Sequence, residues 1–207
     1  VLYILYIINR LKNMTQNIDL LNLSIDPFIL FKQWFDEASK KEINDPNAMN
    51  LSTLSDDFKP SSRMILLKDY NHEGFVFYTN SKSKKGKSIY KNPYVSLNFH
   101  WKSLLRQVRI EGKVTQVSDE EADEYYNSRP MESRIGAWAS NQSEELRERK
   151  DLEDNIEFYK NKFKEDNIIR PPHWTGFRVK PNLIEFWQDV PFRLHDRLEY
   201  SRIKNKW

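Results

Sequence analysis

Residues 104–117 read LLRQVRIEGKVTQV, and the alternation inside this stretch decides the class of fold. In an extended chain successive side chains point to opposite faces. Val108 and Ile110 then share one face, and Gln107, Arg109 and Glu111 share the other. A strand this long, apolar on one side only, needs neighbours. RMILLKD (63–69), FVFYTN (75–80, after the turn NHEG) and YVSLNFHW (94–101) supply them as runs rich in aliphatic and aromatic residues. Beyond Pro171-Pro172, further strands are expected over 174–180, 183–190 and 193–203. Several strands with few helices between them favour an antiparallel barrel over a doubly wound parallel sheet. The expected fold class is therefore mostly β with flanking helices.

The helices announce themselves by their starts. Asp26-Pro27 reads as an N-cap and first helical residue, followed by Phe28, Phe31, Trp34, Phe35 and Ala38 at helical spacing to about Lys40. SKKGKSIYKN (83–92) reads as a helical turn before Pro93. Ser118 with Glu121 forms a capping-box pattern that opens a helix to about Arg129. A longer helix is expected over 143–166, with Leu152, Ile156, Tyr159 and Phe163 on one face. Residues 1–25 are read as an N-terminal extension or arm, with Met14 the expected natural start, and 26–207 as one domain.

Composition removes whole classes of function. The chain of 207 residues has 30% charged and 14% aromatic residues, which excludes a disordered tail and a membrane protein. It has no Cys, so disulfide and thiolate chemistry are excluded and a cytoplasmic setting is expected. The apolar VLYILYII at the N-terminus is too short to span a bilayer. Its four His (72, 100, 173, 195) form no HExxH, and no metal site is expected. The five Gly (74, 86, 112, 136, 176) have neither dinucleotide-fingerprint nor Walker spacing, so any bound phosphate must be held by side chains. Residues 61–110 hold ten Lys or Arg against two acids, whereas 118–166 hold fifteen acids against eight basic residues. That asymmetry suggests a localised anion site rather than a nucleic-acid surface.

Candidate anion ligands fall in four places. In RMILLK, Arg63 and Lys68 are five apart, so on a regular strand they leave opposite faces, with Met64 to Leu67 buried on both sides. Lys84 and Lys85 directly follow the strand ending at Tyr78-Thr79. Tyr125 and Arg129 lie i,i+4 on the expected helix, with Ser133 just past its exit at Pro130. A phenol, a planar cationic fork and a hydroxyl suit a phosphate dianion. Finally, FWQDVPFRLHDR (186–197), if extended, puts Arg193, His195 and Arg197 on one face, and three such groups repel unless an anion sits among them. Gln107, on a mostly buried strand, needs polar partners such as the edge of a flat heterocycle.

In order along the chain, SSRMILLK, FVFYTN, KNPYVSLNF, LLRQVRIEGKV, YYNSRPMESRIGAWASNQS, IEFWQ and RLHDR resemble the pyridoxine (pyridoxamine) 5′-phosphate oxidase family over about 26–207. The resemblance implies an FMN-binding split β-barrel, antiparallel and Greek-key-like, working as a homodimer with FMN at the subunit interface. It implies FMN contacts from Arg63, Met64, Ile65, Leu66, Leu67, Lys68, Tyr78, Thr79, Lys84, Lys85, Gln107, Gln142, Ser143, Trp187 and Arg197. Lys68, Tyr125, Arg129 and Ser133 would clamp the substrate's 5′-phosphate, and Arg193, Leu194 and His195 would meet its ring, Arg193 and His195 as the catalytic pair. The implied reaction takes hydride from C4′ of pyridoxine or pyridoxamine 5′-phosphate, with dioxygen as final acceptor and hydrogen peroxide as product. Other readings are a related split-barrel flavin oxidoreductase with another substrate and a non-catalytic flavin or pyridoxal phosphate binder. Three features depart from the family pattern: Lys84 stands where Arg is more usual, Asp189 where Gly is usual, and residues 1–25 lack a recognisable arm over the site. Relatives also continue into a short basic tail beyond the position of Trp207. Asp189 is expected to weaken anion binding or to pair with a nearby Arg.

Overall fold

A computed structural model describes residues 25–163, 168–204 and 206–207. The expected N-terminal arm lies outside them, apart from Ile25. The elements in chain order are α1 (Pro27–Lys41), β1 (Ala48–Leu54), β2 (Pro60–Leu66), β3 (Asp69–Asn71), β4 (Gly74–Asn80), α2 (Lys84–Lys91), β5 (Tyr94–Trp101) and β6 (Arg106–Gln116). There follow α3 (Asp119–Asn127), α4 (Met131–Ala139), α5 (Arg149–Phe163), β7 (Trp174–Gln188) and β8 (Asp196–Ser201).

The strands form one antiparallel sheet in the order β2-β1-β5-β6-β7-β4-β3, with β8 added to β7. β7 organises it. From Phe177 to Gln188 it pairs with β6, while its first half holds β4 and its second half holds β8. The pairing shifts register between Glu111 and Gly112, opposite Pro181. Pro has no N–H for a ladder and is tolerated at such a bulge. A Cβ at position 112 would overlap the Lys180 carbonyl, so only Gly lets the two backbones approach there. Just past β2, Lys68 N–H donates to the Val76 carbonyl of β4 at 2.9 Å, tying the ends of the path together and curling the sheet into a half-barrel.

The curl encloses the core. From α1, Phe28, Phe31 and Trp34 are driven against Met49, Phe75, Phe99 and Phe186 of the strands. Asp26 caps α1 by accepting from Phe28 N at 2.8 Å, and Pro27 begins it, as the sequence indicates. Val108 and Ile110 are fully buried while Gln107, Arg109 and Glu111 are half-buried, so the alternation of β6 is realised. A smaller cluster, Tyr126, Ile135, Ile168 and Trp174, packs the helical side.

Several boundaries differ from the sequence reading. The strands expected at 174–180 and 183–190 are one continuous strand, because the bulge absorbs Pro181 without ending the ladder. The expected strand over 193–203 begins only at Asp196, since Phe192 and Arg193 both adopt left-handed backbone (φ 62° each) and fold 191–193 into a tight turn. Arg193, His195 and Arg197 therefore do not share a strand face. Pro130 starts a helix, α4, that the pattern did not reveal, so Ser133 sits in a first turn rather than at a helix exit. The helix expected from 143 begins at Arg149, and its expected end at 166 lies outside the described residues. Only half of the capping box forms: Ser118 Oγ accepts from Glu121 N at 3.1 Å, while the Glu121 carboxylate pairs with Arg178 at 2.9 Å.

Candidate active site

β2 is an edge strand, and its outward side is open. Met64 is 62% exposed and Leu66 38%, contrary to the expected burial on both faces. The strand ends at Leu66, so Lys68 does not continue its alternation, and Arg63 and Lys68 both line one cavity. This cavity, of about 540 Å³, is bounded by β2 from Ser61 to Leu66, by Tyr78 and Thr79 of β4, by Lys84 and Lys85 of α2, and by Gln142 and Ser143. Leu67 alone of the run turns away, buried in the core.

Two of the cations here are held in place. Arg63 donates to the Leu51 carbonyl (3.1 Å), Thr53 Oγ1 (2.9 Å) and Ser61 Oγ (2.5 Å). Lys85 Nζ donates to Gln142 Oε1 at 2.8 Å and to Ser83 Oγ at 3.3 Å, and Thr79 Oγ1 shares the same amide oxygen at 3.2 Å. Burial first, and the Arg63 charge second, push the Lys85 ammonium down to about 8. An anion entering the cavity would relieve that repulsion. α2 can approach this closely because residue 86 is Gly: a Cβ there would overlap the Ser81 backbone.

Beyond Tyr78 the cavity meets an aromatic stack. The Tyr78 ring lies 4.0 Å from Tyr125 and 5.2 Å from Trp174, nearly parallel to both. Burial, with the nearby Glu121 and Tyr125, pushes the Tyr78 phenol up to about 12. The Arg129 guanidinium sits 4.9 Å over Trp174, and Lys68 Nζ lies 6.0 Å from the Tyr125 ring. Arg129 Nη1 is buried without a hydrogen-bond partner among the described residues. A buried cationic donor left unmatched is costly, and an anion matches it. Ser133 stands half-buried four residues on, in the first turn of α4. Trp174 was not anticipated as a site residue; Pro-Pro-His before it reads only as a strand start.

The remaining expected site residues gather elsewhere. Gln107, Trp187 and Arg197 are register neighbours across β6, β7 and β8, on one sheet face. The His195 ring packs 4.7 Å from Trp187. Arg197 Nη1 reaches the buried Glu185 carboxylate at 3.5 Å, as Arg109 does at 3.4 Å. Arg193 and Leu194 lie exposed in the turn. None of these lines the cavity, so one chain does not bring the two groups together. Asp189, expected to weaken anion binding or to pair with a nearby Arg, pairs with His195, its Oδ1 lying 3.0 Å from Nδ1.

Residues 35–162 match the family model described as pyridoxamine 5′-phosphate oxidase, and 174–207 match that of the pyridoxine 5′-phosphate oxidase C-terminal dimerisation region. A pyridoxine/pyridoxamine 5′-phosphate oxidase of Bartonella henselae is 57% identical over 176 residues, 85% of each chain. Its namesake in Caulobacter vibrioides is 53% identical over 182 residues, 88% of this chain and 82% of the relative. Among solved structures, PhzG from Burkholderia lata, in complex with tetrahydrophenazine-1-carboxylic acid, superposes with a TM-score of 0.86 at 29% identity, covering 91% of this chain and 93% of that one. An FMN-binding protein of Nostoc punctiforme related to pyridoxamine 5′-phosphate oxidase has the same fold, with a TM-score of 0.69 at 14% identity over 88% of this chain and 94% of that one. Among the described residues, no helix is long and apolar enough to cross a membrane.

Proposed function

Because this chain belongs to the pyridoxine/pyridoxamine 5′-phosphate oxidase family, we propose that it oxidises pyridoxamine 5′-phosphate and pyridoxine 5′-phosphate to pyridoxal 5′-phosphate. FMN is the proposed cofactor, dioxygen the electron acceptor and hydrogen peroxide the product. The observation that carries the reading is Arg129: a half-buried guanidinium whose buried Nη1 has no partner among the described residues, at the end of an aromatic stack that opens onto a cavity lined by four further cations, Arg63, Lys68, Lys84 and Lys85. Two phosphorylated ring compounds, cofactor and substrate, account for both anion-seeking groups.

When bound, FMN supplies the two-electron acceptor for the hydride leaving C4′. Everything else falls to the chain. Arg63, Lys84 and Lys85 hold the cofactor phosphate, with Gln142 and Thr79 fixing Lys85. Lys68, Tyr125, Arg129 and Ser133 clamp the substrate phosphate, and that anchorage holds C4′ in place, a proximity effect. Gln107, Trp187 and Arg197, with Arg193, Leu194 and His195, act from a second copy of the chain, completing the cavity of the first. Two features support a homodimer: the match of 174–207 to a dimerisation region, and the failure of one chain to join its two groups of site residues. Residues 26–207 act as the single oxidase domain.

The test is a peroxide assay on FMN-saturated protein with both phosphorylated substrates. Peroxide that depends on either one is the expected result. Flavin binding without turnover of either substrate would sink the reading in favour of a carrier. Turnover only of an unphosphorylated aromatic acid, of the kind bound in the PhzG crystal, would favour a related oxidase.

A further inference from the structure

Gln188 and Asp196 form the last register pair of the β7–β8 hairpin, so Asp189 and His195 face each other as the first residues beyond it. Asp189 is fixed through its backbone, whose N–H donates to the Leu105 carbonyl at 2.9 Å. His195 is fixed through its ring, packed against Trp187. Between them, Asp189 Oδ1 lies 3.0 Å from His195 Nδ1. The Val190 N–H points at the same nitrogen from 3.3 Å. These two neighbours make opposite demands. An N–H donor needs a bare lone pair on Nδ1, whereas a carboxylate needs a proton there, and one ring nitrogen cannot offer both.

Distance and charge favour the carboxylate. Its contact is the shorter, and a hydrogen bond to an ionised acceptor is about twice as strong as a neutral one. The His195 and Asp189 side chains are only 25% and 19% exposed, so water does little to weaken the pair. We propose that Asp189 is a positioning residue that keeps the proton of neutral His195 on Nδ1 and thereby presents Nε2 as a bare hydrogen-bond acceptor. Resting on the oxidase reading, the group Nε2 meets is the hydroxyl or amine on C4′ of the substrate, which it orients by accepting its hydrogen. The state of the ring, by contrast, does not depend on that reading.

The experiment is ¹⁵N NMR of the FMN-loaded protein with labelled histidine, using His195→Gln for assignment, at a pH where the ring is neutral. Wild type should show Nδ1 protonated and Nε2 bare. In Asp189→Ala, among the described residues, only the Val190 N–H still addresses Nδ1, so the proton should move to Nε2. With it, kcat for pyridoxine 5′-phosphate should fall by about tenfold or more while FMN affinity stays within about threefold, the size expected for one lost charge-assisted contact. A wild-type ring protonated on Nε2, or a tautomer unmoved by Asp189→Ala, overturns the proposal. The wild-type spectrum decides even if the variant does not fold. The Nδ1–H tautomer in a protein that makes no peroxide would support the role of Asp189 and overturn only the oxidase reading.

Discussion

In the cavity between β2, β4 and α2, cations are tied to neighbours in the same chain: Arg63 to Leu51, Thr53 and Ser61, and Lys85 to Ser83 and Gln142. In the turn between β7 and β8 the situation is reversed. Phe192 and Leu194 are 93% and 74% exposed, and two successive residues hold left-handed backbone. The first region is finished before any ligand arrives. The second has ordered supports, Trp187 and Glu185, beneath a tip that touches little, and in our reading it becomes a site only against another copy. Variants should therefore act on ligand affinity in the cavity and on assembly or orientation at the hairpin.

Arg129→Ala is the largest expected effect. On the proposed reading it removes a charge-assisted hydrogen bond to the substrate phosphate of about 1.5–3 kcal/mol, so KM for pyridoxamine 5′-phosphate should rise about ten- to a hundredfold. FMN affinity, followed by flavin fluorescence, should hardly change. If FMN is lost instead, the cavity and the clamp are not separate anion sites.

Next comes the pH dependence of FMN binding. The Lys85 ammonium titrates at about 8 without ligand, and a phosphate beside it favours the charged form and raises that value. Below pH 8 the lysine is already cationic and affinity should be flat. Above it, binding must take up a proton, so Kd should rise by up to about tenfold per pH unit until the bound-state value is reached. Titration of FMN into apoprotein from pH 7 to 9.5 reads this directly; a flat profile would mean Lys85 does not meet the phosphate.

The smallest effect belongs to the hairpin tip. Phe192→Gly relieves a left-handed conformation costing about 1–2 kcal/mol but adds freedom to the unfolded chain worth about 0.5–1 kcal/mol. The melting temperature should therefore move by only about 2–4 °C. A fall of more than about 5 °C would show that Phe192 is buried against a second copy, and the contrast between the two regions would narrow.

What could be read in advance follows the range of the interactions involved. Local signals held: Asp26-Pro27 begins α1, Ser118 caps α3, and Val108 and Ile110 face the core from β6. Signals that depend on distant neighbours did not. An apolar run such as Met64 to Leu66 looks alike in a central and an edge strand, and only the sheet order exposes it. Pro181 reads as a break unless the bulge at Gly112 opposite it is known. Alternation over 193–197 failed because two non-Gly residues adopt backbone that their side chains disfavour, which no pattern announces. The family resemblance pointed to residues to inspect, but their division over two surfaces of one chain was not legible, since that is a property of the folded sheet.

The long strand β7 has a consequence for the order in which the molecule comes into being. It lies between β6 and β4, both made far earlier in the chain, and it carries β8 as well. A nascent polypeptide that has reached only residue 170 holds both flanking strands without the one that joins them. Closure of the barrel thus waits on long-range contacts that form slowly, and during synthesis the edges of β4 and β6 stay open until the last fifth of the chain emerges.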